Sequence, residues 1–280
     1  MYTKKVWFIT GASKGLGLSL VKQLLEAGQN VAATSRNVSD LKKAVNSSSI
    51  KFLPLTADLK DENSVDLALK ATIEKFGKID VVINNAGYGI GGSIEELSEA
   101  ETRTNFDVNV FGTLNVIRKA MPFLRAQRSG HIINISSIAG IAGATGWAVY
   151  AASKFAVIGL SEVLAEDVKE FGIKVTVVAP GAFRTSFLTG DSLALPENPI
   201  ADYNGVRESH ERYLKMDGEQ IGDPEKAAAA MIAVVAMPNP PLHLLLGNDA
   251  FNRANVKLEA LNKEFKDWAA ITNSTGFNQP

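Results

Sequence analysis

The chain contains no cysteine. Disulfides, thiolate nucleophiles and cysteine-held metals are therefore excluded, and the composition suits a reducing, cytoplasmic setting. Charge of either sign is not in excess: 29 basic and 30 acidic residues leave a net −1. No basic run exceeds two residues, which disfavours nucleic acid and anionic membrane surfaces as partners. The three histidines, His131, His210 and His243, show no metal-ligand spacing; they read as structural or surface residues, and no metal is expected. No run of 18 bulky apolar residues occurs, so no membrane span is expected. The N-terminal stretch has too few apolar residues before Thr10 for a secretory signal. Internal repeats and low-complexity linkers are also missing. The 280 residues, 46% of them hydrophobic, therefore read as one domain, 1–280, with a large core.

What is present begins with a strand, Val6–Ile9, that runs into Thr10-Gly11-Ala12-Ser13-Lys14-Gly15-Leu16-Gly17 and then a helix ending near Gly28. Strand, glycine loop and helix is the arrangement that seats a phosphate on helix N-terminal amides. The alternative for this loop alone is an ordinary glycine-rich turn. A second strand, Val31–Thr34, ends at Ser35-Arg36, where a dinucleotide fold meets the adenosine ribose. An acidic residue there would repel a 2′-phosphate. Arg36 offers a forked cation instead, and Lys14 adds a second charge, so NADP(H) is expected over NAD(H). Otherwise both are solvated surface cations.

A third strand is predicted over Ile50–Leu55, ending at Ala57-Asp58-Leu59, and a fourth over Asp80–Ile83, ending at Asn84-Asn85-Ala86-Gly87. Asp61 caps the helix between them, which stops at Gly77. This alternation predicts an α/β fold: a Rossmann-type, doubly wound parallel sheet of about seven strands with helices on both faces. Ligands then sit outside the strand C-termini. A helix over about 99–126 carries Asn109. A buried strand, His131–Ile135, breaks at Ser136-Ser137, and a further helix starts near Trp147. Tyr150 and Lys154, four apart, share one face of it. An ammonium beside the phenol is expected to lower its pKa from about 10, making it a proton donor or acceptor near neutral pH. In a chain with five tyrosines this spacing carries weight only together with the loop before it.

Together these segments resemble the short-chain dehydrogenase/reductase family, over about residues 5–185 and again near 242–246. Thr10–Gly17 resembles its TGxxxGxG loop, Asn84–Gly87 its NNAG motif, and Asn109, Ser137, Tyr150 and Lys154 its catalytic tetrad. The resemblance implies that Tyr150 exchanges a proton with a carbonyl or alcohol oxygen and that Ser137 donates to that oxygen. It implies that Lys154 holds the nicotinamide ribose and that Asn109 steadies a water of a proton relay. Gly11, Ser13, Lys14, Gly15, Leu16, Gly17, Ser35, Arg36, Asp58, Leu59, Asn85, Ala86, Gly87, Pro180, Gly181, Phe183 and Thr185, with Tyr150 and Lys154, are the implied cofactor contacts. A homodimer or homotetramer is the family habit. The branch with hydroxysteroid and retinol dehydrogenase-like members is the nearest analogy.

Residues 183–222 form the expected substrate lid, with a short helix over about 203–216; Asp223-Pro224 starts another helix, His243–Leu246 is the last strand, and 249–280 is a C-terminal helical extension whose last ten residues fray. Phe183, Phe187, Leu188, Leu193, Leu195, Tyr213 and Met216, opposite Tyr88, Ile138 and Trp147, either line a pocket or pin the loop. If they line it, the substrate is a bulky or hydrophobic ketone, aldehyde or alcohol. The expected activity is thus an NADP(H)-dependent oxidoreductase. A catalytically idle NADP(H)-binding sensor is the alternative, and an epimerase or dehydratase on a related fold a third reading.

Overall fold

The computed structural model describes residues 4–190 and 192–277. Residues 1–3, Asp191 of the expected lid and the last three residues of the expected extension lie outside the described residues.

The elements follow in chain order. β1 is Val6–Ile9, α1 Gly15–Glu26, β2 Asn30–Ser35, α2 Val38–Val45 and β3 Phe52–Thr56. Next come α3, Glu62–Phe76, β4, Val81–Asn84, and β5, Gly89–Ile90. Two helices, α4 (Glu99–Phe106) and α5 (Gly112–Gln127), follow, with one π-helical turn, Asp107–Phe111, between them. β6 is Gly130–Ile135, α6 Ala148–Asp167, β7 Ile173–Pro180 and β8 Leu193–Ala194. The chain continues with α7 (Asn204–Lys215), α8 (Pro224–Val235), β9 (His243–Leu246), α9 (Asn248–Asp267) and α10 (Ala269–Thr272).

Seven strands form one parallel sheet in the order β3-β2-β1-β4-β6-β7-β9. This is the expected doubly wound α/β class. β1, β4 and β6 are buried along almost their whole length, as expected for strands covered on both faces. On one face Leu20 and Leu24 of α1 and Ala228 and Met231 of α8 pack on the sheet; on the other, Leu69 of α3 and Val116 and Leu124 of α5 do so. The chain order reverses between β1 and β4, so the crevice above their C-terminal ends is the switch point where α/β sheets bind ligands.

Local signals fall where the sequence puts them. Asp61 caps α3 by accepting from the Asn63 amide at 2.9 Å, and Gly77 ends that helix in the left-handed region. Asp223 caps α8, with Pro224 at its first position. Two readings are corrected. Ile50 is not in β3 but exposed on the turn before it. Of the last ten residues, expected to fray, 271–275 continue in a helical turn and a 3₁₀ turn. The expected helix over 99–126 is continuous, with the π turn inside it. α6 is long and apolar enough to cross a membrane by length and composition, but 44% of that stretch is buried inside the protein, as in a core helix.

Candidate active site

The glycine loop is locked to the end of β4. The Thr10 hydroxyl, fully buried, accepts from the Asn85 and Ala86 amides, both at 3.1 Å. The Asn85 side-chain amide donates back to the Thr10 and Gly11 carbonyls at 3.0 and 2.9 Å. Only glycine fits here. A Cβ on Gly11 (φ +64°) would lie 2.6 Å from the Ala86 Cα, and one on Gly17 2.5 Å from the Asn85 Nδ2. α1 starts with no side-chain cap and no acidic residue in its first turn. Its first amides therefore remain free for an anion, so the loop fits a dinucleotide pyrophosphate.

The other expected cofactor contacts border this crevice. The Ser35 hydroxyl lies 3.4 Å from that of Ser13. Arg36 and Lys14 are exposed, and Arg36 is near enough to the Tyr88 phenol to oppose the rise in its pKa that burial causes. Asp58 is exposed and accepts from the Lys60 amide at 3.0 Å. Leu59 differs: its side chain is buried against Gly112, and its carbonyl accepts from the Asn115 side chain at 2.9 Å. Thr185 reaches back over Gly15. Gly181, after Pro180 at the end of β7, has no room for a side chain beside the Asp249 carboxylate, which accepts from the Ala182 amide at 2.8 Å. Phe183 turns its ring to Gly222 and joins the core cluster under α8, so it is not part of the lid wall.

The four expected catalytic residues come together at the end of β6. Lys154, buried in α6, donates from Nζ to the Ile135 carbonyl at 3.0 Å. A Cβ on Gly87 would sit 3.0 Å from the Asn109 Oδ1 and 3.3 Å from that Nζ, which shows how closely the three approach. Ser137 lies in hydrogen-bonding reach of the Tyr150 phenol, while its own oxygen accepts from the Ala139 amide at 3.1 Å. Asn109 occupies the π turn. Its side chain accepts from the Tyr88 amide at 3.0 Å and donates to the Tyr88 carbonyl, Asn105 and Ser153. A π turn adds a residue to the helix and re-aims its neighbours, a device frequent at functional sites.

One electrostatic expectation is reversed. The Tyr150 pKa is not lowered but pushed up to about 12, by burial first, with the nearby Tyr213 phenol adding to it and Ser137 opposing. Burial likewise lowers the Lys154 ammonium to about 8. Lys154 points its charge at the Ile135 carbonyl and lies 5.8 Å from the Tyr150 ring centroid, so desolvation outweighs the pair attraction.

An aromatic cluster roofs Tyr150. Trp147 packs edge-on against Tyr150 (6.2 Å between centroids), His210 (5.5 Å) and Tyr213 (5.0 Å), and Phe187 lies 5.7 Å from Tyr150. Leu188 and Leu193 join it. Leu195 and Met216 are exposed instead, and Ile138 packs against α9. The Tyr88 phenol is engaged by Asn105. His210 is buried and bonds the Gly146 carbonyl at 2.9 Å.

The lid itself is ordered. β8 pairs in parallel with β5, and Glu96 gathers the Ser93 amide (2.8 Å), the Ile200 amide (2.9 Å) and the Arg207 guanidinium. Sequence reasoning missed Thr10 and Glu96. Thr10 stood inside the glycine-loop motif; for Glu96 the available signal was the Ser93-x-x-Glu96 spacing of a capping box, whose two reciprocal bonds the structure shows.

A family model for short chain dehydrogenase matches residues 5–193. The chain belongs to that family. This dehydrogenase is 38% identical over 269 residues to Oxidoreductase BOA17 of Botryotinia fuckeliana, covering 96% of this chain and 98% of that protein. It is also 38% identical over 246 residues to a 3-ketodihydrosphingosine reductase of Bacteroides thetaiotaomicron, with 87% and 88% covered. A solved short-chain dehydrogenase from Streptomyces avermitilis matches it at a TM-score of 0.90 and 33% identity, covering 98% of this chain and 99% of that one. Two further similar structures hold cofactors. One is a 3-ketoacyl-(acyl-carrier-protein) reductase from Brucella melitensis complexed with NADH (26% identity, TM-score 0.72, 86% and 96% covered). The other is ElxO with NADP bound (25%, 0.71, 87% and 97%). The short-chain dehydrogenase described here is thus an oxidoreductase of the CH–OH/C=O couple, with relatives that bind NAD or NADP.

Proposed function

We propose that this dehydrogenase is an NADP(H)-dependent reductase of bulky, apolar carbonyl compounds, with Tyr150 as the proton donor. The observation that carries the reading is the convergence of Tyr150, Ser137 and Lys154 at the end of β6, beneath the Trp147–Phe187–Tyr213 roof.

The bound nicotinamide cofactor supplies the hydride; everything else falls to the chain. The glycine loop and the uncapped start of α1 bind the pyrophosphate. Arg36 and Lys14 hold the 2′-phosphate. Ser137 donates to the carbonyl oxygen of the substrate and stabilises the charge that grows there. A phenol held neutral by burial carries its proton at neutral pH and gives it to that oxygen, so C=O becomes CH–OH. Lys154 bonds the nicotinamide ribose and supplies positive charge as the phenolate forms. The π turn at Asn109 braces the backbone of Tyr88 and, through Ser153, the start of α6. The roof's apolar lining selects the substrate, and the relative named for reducing a 3-keto sphingoid supports a keto group on a long apolar body.

The test is NADPH oxidation on a panel of hydrophobic and polar ketones and aldehydes, with Tyr150→Phe alongside. Turnover of the hydrophobic members, abolished by the substitution with NADPH still bound, is the expected result. Turnover confined to small polyols and sugars would refute the substrate class. Equal turnover by Tyr150→Phe would refute the proton donor.

A further inference from the structure

α9 starts on the body of the protein and leaves it. Ala250 and Ala254 are buried, with Ile138, Ile141, Ala142 and Leu245 packed around them. Beyond Ala254 no residue of α9 is buried. The apolar stripe nevertheless continues. Phe251, Ala254, Leu258, Leu261, Phe265 and Trp268 recur at alternating spacings of three and four, the a and d positions of a coiled-coil heptad. Phe251, Leu258, Phe265 and Trp268 are 58–68% exposed. A helix of this length with one apolar face bare draws little stability from its own backbone and needs a packing partner.

The borders of the stripe indicate which partner. Lys257 and Glu264 lie on one border, seven residues apart and opposite in sign, and neither has an ion-pair partner among the described residues. The other border carries uncharged Asn255 and Asn262. We propose that the stripe docks α9 of a second copy of this chain, the two helices antiparallel about a two-fold axis near residues 259 and 260. In that register Leu258 of each copy packs on Leu261 of the other and Phe251 meets Trp268, while Ala254 stays buried on the body of its own copy. Lys257 of each copy then lies beside Glu264 of the other, so one sequence satisfies itself twice, as a two-fold interface requires. In a parallel pair each charged border would face the asparagine border, and neither charge would find its opposite. Between residues 249 and 268 four basic and four acidic side chains cancel, which gives no attraction to an anionic bilayer. Aromatic side chains bury about 150–250 Å² each, so the paired stripes would cover about 1,000 Å² in all, the low end for specific interfaces. The association is therefore reversible and depends on concentration. It does not rest on the reductase reading.

Because the chain has no cysteine, Leu258→Cys and Leu261→Cys each introduce a sole thiol. Under mild oxidation, a mixture of the two full-length variants, one carrying a size tag, should form the mixed disulfide at least tenfold faster than either variant forms its own. Lys257→Glu added to both should slow this several-fold, and adding Glu264→Lys as well should restore it. Equal rates for all three disulfides, or no rescue by the charge swap, would overturn the proposal. Flotation of the unmodified chain on phosphatidylcholine vesicles, abolished by Phe265→Asp, would assign the stripe to lipid and overturn it too.

Discussion

Replacing Glu96 with glutamine should unlatch the lid while leaving the sheet intact. The Glu96 side chain is fully buried, while Arg207 is 32% exposed. Burial pushes the carboxyl pKa up, but the Ser93 and Ile200 amides, the Ser93 hydroxyl and Arg207 outweigh it and hold the group below the usual range, ionised. Glutamine keeps the shape, loses the charge and turns an N–H₂ toward groups that are all donors. Breaking one side of a buried ion pair costs about 3–5 kcal/mol. Arg207 can turn its guanidinium to water, so about 2 kcal/mol is the better figure here. That raises the open-lid population roughly 30-fold. Hydrogen exchange should accelerate by that factor over residues 193–216, where β8 and α7 lie, and not in β1 or β6. KM for a bulky ketone should rise more than kcat falls. Arg207→Met should act alike, and the double variant should be less impaired than the sum of the two. Exchange that rises uniformly through β1 and β6, or additive effects of the two substitutions, would refute the latch.

Three further outcomes are expected. Reductase kcat/KM should fall as pH rises through about 8, where buried Lys154 loses its proton, while Tyr150 adds no limb below pH 10; Lys154→Arg should remove the limb. Stability should move the other way over the same window. The folded-state pKa of Lys154 lies below its unfolded value, so the unfolded chain binds more protons between pH 8 and 10.5, and unfolding free energy should gain at most about 3 kcal/mol across it, read from urea melts. Gly17→Ala should lower stability by about 1–3 kcal/mol and eliminate NADPH binding in titration calorimetry, because the new methyl meets the Gly11 carbonyl and Asn85. Arg36→Asp should weaken NADPH binding and spare or improve NADH; tighter NADH than NADPH binding in the unmodified protein would contradict the role given to Arg36 and Lys14.

The sequence by itself determined what depends on neighbours a few residues apart. The caps at Asp61 and Asp223-Pro224, the stop at Gly77, the glycine loop and the helical pairing of Tyr150 with Lys154 are all local. The alternation of buried strands with helices was enough to place the expected ligand residues at strand C-termini. Only the tertiary structure decided what depends on long-range company. The π turn at Asn109 has no sequence signature, because it arises where the Tyr88 backbone and Ser153 draw on one side chain. β5 and β8 are two residues each, too short to carry a period, and exist only as partners. Ile138 and Phe183 are as apolar as Phe187, yet they face α9 and α8, since hydrophobicity says that a side chain is buried but not against what. The same holds for Tyr150. The ammonium four residues away was visible in the chain, but the desolvation that outweighs it comes from the aromatic residues and the lid helix folded over the phenol.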